Sequence, residues 1–143
     1  MERMRMMLFA VLFMGMAGTA AELLLTSHTE DGWQKLPVGL LLWGMVILPV
    51  VAFNPKKISV ALMRALMVLF ILAGALGTWF HYESNAEFAI ELTPGLSGFA
   101  LLKEAITRPT PPPLAPGTMI MLGLLGLIAS YAKNTEYRTQ NTE

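Results

Sequence analysis

Cysteine is absent from the 143-residue chain. That excludes disulfides, thiol catalysis, iron–sulfur clusters and thiolate zinc sites. Charge is also scarce: Asp, Glu, Lys and Arg make up 14% of the residues, against about 25% in soluble domains. Formal net charge is zero, and the sequence has neither a basic block for nucleic acid nor an acidic tail. No G-x-x-x-x-G-K-[ST] phosphate loop occurs. Gly95-Leu96-Ser97-Gly98 lacks the spacing and context of a G-x-S-x-G nucleophile elbow. Neither of the two histidines lies in the middle of an apolar run, so paired helical ligands for a haem are missing.

Apolar residues are plentiful, at 55% of the chain. They gather into four runs, at about 6–25, 36–53, 58–80 and 114–131. Each is near the roughly 20 residues that cross a bilayer at 1.5 Å per residue. The expected fold is therefore all-α, a polytopic four-helix membrane domain over 1–132 with an outer loop at 81–115. A polar, flexible tail is expected at 133–143. Arg3, Arg5 and Gly18-Thr19-Ala20 also fit a secretory signal with a small-residue cleavage site. Leu23-Leu24-Leu25 carries the run past that site, which favours an uncleaved span.

Proline and glycine set the punctuation. Pro37 and Pro116 suit the first turns of their helices, where a missing N–H costs nothing. Pro49 is expected to kink or end the second helix. Gly74 and Gly77, with Ala73 and Ala75, and Gly123 with Gly126 form small-residue faces for close helix packing. Arg64 lies near enough to the start of its run to snorkel back to the basic side. Residues 87–92 alternate with period two and allow a short strand. Leu96, Phe99, Leu102 and Ile106 have helical spacing, so a short amphipathic surface helix is expected over about 96–107. Pro111-Pro112-Pro113 reads as an extended spacer.

With four spans, Arg3, Arg5, Lys56, Lys57, Arg64, Lys133 and Arg138 fall on one side and Lys35, Lys103 and Arg108 on the other, seven against three. That asymmetry puts both termini in the cytoplasm and loops 26–35 and 81–115 outside.

On this topology the polar chemistry gathers at the outer face. The candidate site comprises Glu22, His28, Glu30, Asp31, His81, Glu83, Asn85 and Glu87. Glu22 lies about one turn inside the end of the first run, where an ionised carboxylate needs water or a partner. His28, His81, Glu22 and Glu87 are ligand types that suit a first-row divalent ion, although His28-x-Glu30-Asp31 and His81-x-Glu83 match no specific metal motif. The ordinary alternative is an interfacial role, with the aromatics around His81 as headgroup anchors. The eleven methionines raise a copper site, but Met4, Met6, Met7, Met14 and Met16 lie in or beside an apolar run, where packing explains them better.

Glu22-Leu23-Leu24 with 28–34, the segment 80–88 and Leu114-Ala115-Pro116-Gly117 together resemble a group of small bacterial four-helix integral membrane proteins. The resemblance implies a bacterial inner membrane, and it brings no activity, cofactor or catalytic residue. The expected function is a non-enzymatic accessory or assembly subunit, packed against other membrane subunits or a second copy within the lipid bilayer, with no cofactor and no nucleic acid. The alternative is binding, transport or sensing of a small molecule or ion at the outer face. A membrane enzyme acting on a lipid, with His81 and Glu87 as acid and base, is a third expectation and requires the two side chains to meet.

Overall fold

The computed structural model describes residues 2–26, 32–107 and 114–140, and of Glu2, Leu114 and 132–140 only the helical backbone. Among the described residues five helices follow in order: α1 (Glu2–Leu25), α2 (Gly32–Phe53), α3 (Lys57–Leu92), α4 (Gly98–Thr107) and α5 (Leu114–Gln140). No strand occurs among the described residues. Arg3–Leu25, Gly32–Phe53 and Lys57–Leu92 are long and apolar enough to cross a membrane, while the apolar part of α5, Ala115–Tyr131, is shorter.

α1, α2, α3 and α5 form an antiparallel bundle whose core follows helical periodicity. α1 contributes Phe9, Leu12, Met16 and Leu23; α2 contributes Val38, Leu41, Leu48 and Val51; all are buried. These recur at intervals of three, four or seven residues, so each helix turns one stripe inward. Met4, Met7, Met14, Trp43 and Val46 lie on the opposite, exposed surface. α3 meets α5 more extensively than any other helix pair meets.

Several element boundaries differ from the sequence expectations. The alternation at 87–92 is not a strand, because α3 continues without a break from Lys57 to Leu92. No Gly or Pro interrupts 78–92, and Ala86 and Ala89 are buried three positions apart on one face, so helical spacing prevails over the shorter alternation. Much of the expected outer loop at 81–115 is therefore helix. α2 starts at Gly32 rather than 36, and Pro37 lies in its second turn. Its early turn is held by the Trp33 ring, 6.0 Å from that of Phe80. Pro49 does not end α2, which runs on to Phe53 until Asn54-Pro55 stops it. α5 continues beyond the expected limit at Tyr131 to Gln140, with no Gly or Pro to stop it.

Turns are built from local hydrogen bonds. The Ser59 hydroxyl accepts from the Lys56 N–H at 3.0 Å and donates to the Lys56 carbonyl at 2.9 Å, fixing the start of α3. After α3, the chain reverses through Thr93-Pro94-Gly95, with Gly95 at φ +92°, a conformation that costs an L side chain about 1–2 kcal/mol. α4 then folds back along the end of α3. Ala105, like Ala86 and Ala89, is buried, and the Asn85 side-chain N–H donates to the Ala105 carbonyl at 3.1 Å.

Candidate functional site

The α3–α5 seam sets the register of the bundle. A methyl added at Gly126 would strike the Met67 side chain; at Gly123 it would sit 2.7 Å from the Met67 carbonyl, and at Gly74 it would sit 2.5 Å from the Pro116 carbonyl. Here one helix backbone lies directly against the other, an approach only glycine permits. At the end of the bundle nearest the termini, Arg64 crosses the seam. Its Nε donates to Ser130 Oγ at 3.1 Å, an Nη donates to the Ser130 carbonyl at 3.0 Å, and the guanidinium lies 4.0 Å from the centre of the Tyr131 ring. Arg64, near the start of α3, is therefore engaged with α5, a partner not foreseen from its position in the run. Arg5, on α1, is also buried.

At the opposite, distal end the helices part. A partly open cleft of about 580 Å³ lies between the end of α1, the start of α2, the middle of α3 and the start of α5. Buried Leu23, Ala73 and Met119 line it, together with the more exposed Trp33, Gln34, Leu76, Phe80, His81 and Ser84. Gly77 and Pro116 form one wall, where a Gly77 methyl would be 3.2 Å from the Pro116 ring. Small residues on both sides of this wall leave volume that neither helix fills. Pro37 also lines the cleft. Lacking an N–H, it deprives the Trp33 carbonyl of its usual in-helix donor.

The sequence-derived candidates distribute unevenly around this end. His81 lines the cleft, half-buried, and has a contact within the protein. Asn85, one turn further, is half-buried and committed to Ala105. Glu22, Glu83 and Glu87 are exposed. His28, Glu30 and Asp31 lie outside the described residues, as do Arg108 and the Pro111-Pro112-Pro113 spacer. A methyl added at Gly44 would meet the Met16 sulfur at 2.8 Å and the Phe70 ring at 3.2 Å, so α1, α2 and α3 meet there. His81 and Glu87 are six positions apart on one helix, about 9 Å along the axis and a third of a turn around it. Among the described residues, no group of three or more His, Asp and Glu is placed to hold a metal ion.

Sequence reasoning passed over Gln34, Ser84 and the cleft-lining pair Trp33 and Phe80. The available signal was positional: Trp33 and Phe80 close the ends of two adjacent apolar runs, and antiparallel neighbours bring such ends together. No family model matches the chain, and no curated protein or solved structure does so.

Proposed function

We propose that this chain is a four-span protein of a bacterial inner membrane with both termini in the cytoplasm. In this proposal it acts as a non-enzymatic accessory or assembly subunit that docks on a larger membrane complex, or on a second copy, through the α3–α4 hairpin. The observation that carries this proposal is the exposed apolar face of that hairpin. Phe88 and Leu92 on α3, and Phe99 and Ile106 on α4, are exposed by 50, 61, 79 and 67%. α3, at 36 residues, reaches about 54 Å, well beyond the roughly 30 Å of a hydrocarbon core. With Lys56 and Lys57 at one boundary and Phe80 near the other, about 18 Å of helix stands clear of the lipid and carries α4 with it. Apolar side chains exposed there favour a protein partner. The fourth span is the apolar part of α5, which at 17 residues is at the short end of spanning length. The lysine and arginine asymmetry supports the orientation.

A photo-crosslinking amino acid at Phe99 or Ile106, activated in native membranes, is expected to give a discrete heavier band. The same group at Val46, on the exposed surface of α2, is expected to give none. No band from either hairpin position would sink the docking proposal. Reporter fusions active only in the cytoplasm should light up at both termini, and a dark terminus would overturn the topology.

The alternative, small-molecule binding at the distal end, draws its support from the cleft between α1, α2, α3 and α5.

A further inference from the structure

The distal cleft has a graded lining. Its buried lining is apolar, formed by Leu23, Ala73 and Met119, while the polar lining residues Gln34, His81 and Ser84 are half-buried or exposed. Gln34 and His81 each also have an interaction within the protein. From Ala73 to Ser84 the cleft follows α3 for eleven residues, about 16 Å. Trp33 and Phe80 also line it, their rings 6.0 Å apart. No Asp, Glu, Lys or Arg occurs among the described lining residues.

We infer that the cleft binds an uncharged amphiphile, with its apolar body among Leu23, Ala73 and Met119 and a neutral carbonyl or hydroxyl head between Gln34, His81 and Ser84. The volume falls within the 300–1,000 Å³ typical of small-ligand sites. The described lining offers neither a cation to offset an anionic headgroup nor a carboxylate to offset a cationic one. A carbonyl or hydroxyl head needs only hydrogen bonds, which an imidazole, an amide and a hydroxyl supply as donors or acceptors. Two sources share this chemistry: a quinone with an alkyl tail and a long-chain alcohol. The inference rests on the cleft being a ligand site at all, and the experiment separates the two claims.

The test uses the full chain in mild detergent, with Trp43→Phe and Trp79→Phe leaving Trp33 as the reporter. Decyl-benzoquinone is expected to quench Trp33 saturably, and 1-dodecanol to reverse the quenching in competition. Quenching without reversal by the alcohol assigns the site to the quinone. Laurate at pH 8 and phosphatidylglycerol are expected to compete at least tenfold more weakly. Ala115→Leu and Ala73→Phe, two independent ways of filling the cleft, should each weaken binding about tenfold, and His81→Ala combined with Ser84→Ala should do so by about the same factor. Circular dichroism identifies a filled variant that has lost its fold, and the other then decides. Competition by laurate equal to that by dodecanol, still blocked by filling, would overturn the neutral head and leave the ligand site standing. Quenching indifferent to both filling variants would overturn the site itself.

Discussion

The two ends of the α3–α5 seam use the same kinds of residue to opposite effect. Toward the termini, Gly126 receives Met67, Gly123 receives Ile71 and the Met67 carbonyl, and Arg64 clasps Ser130. Each small residue there faces a large partner, so the space is filled. At the distal end Gly77 faces Pro116, and Ala73 and Ala115 lie nearby on the cleft wall. Gly74, also on the cleft lining, is still met closely by the Pro116 carbonyl and Ile120, but at Gly77 small faces small, and a cleft remains. A small-residue face thus does not by itself mean tight packing; what stands opposite decides whether it closes or opens.

The sharpest way to break this contrast is Gly123→Ala. The new methyl would meet the Met67 backbone carbonyl at 2.7 Å, which cannot rotate aside, so a loss of about 1–3 kcal/mol is expected in reversible unfolding from detergent micelles. Arg64→Leu comes next. It removes two hydrogen bonds and a ring contact from a half-buried cation, for an expected loss of about 1–2 kcal/mol in the same measurement. Asn85→Ala should cost about 0.5–1.5 kcal/mol and speed hydrogen exchange in α4, because it frees the Ala105 carbonyl that ties the hairpin. Gly77→Ala should have the smallest effect, within about 0.5 kcal/mol of the parent, since its methyl would meet only the Pro116 ring at 3.2 Å, beside open volume. Equal losses for Gly77→Ala and Gly123→Ala would erase the distinction between the two ends.

Much of the helical layout was legible along the chain, because apolar run length and the placement of Gly and Pro act locally. Asn54-Pro55 ends α2 and Thr93-Pro94-Gly95 ends α3, as such breakers should. The errors arose where a local rule met a stronger partner. Period-two spacing at 87–92 gave way to the helix that buries Ala86 and Ala89, and Pro49 did not end α2, which is buried on both sides of it at Leu48 and Val51. At the distal end, sequence proximity and charge drew notice to Glu22, Glu83 and Glu87, which are exposed, while the cleft is lined by apolar and uncharged polar residues from four helices.

By itself, then, the sequence determined that the chain is helical, where its three long apolar helices lie and which small residues could allow close approach, since each depends on residues within a few turns of one another. Only the tertiary structure decided that Arg64 would find Ser130, 66 positions away, that Asn85 would bind the Ala105 carbonyl, and that Gly123 would be gripped while Gly77 borders a cleft. Those outcomes depend on the rotation and register of one helix against another, and interhelical register is a property of the whole packed bundle rather than of any stretch of it.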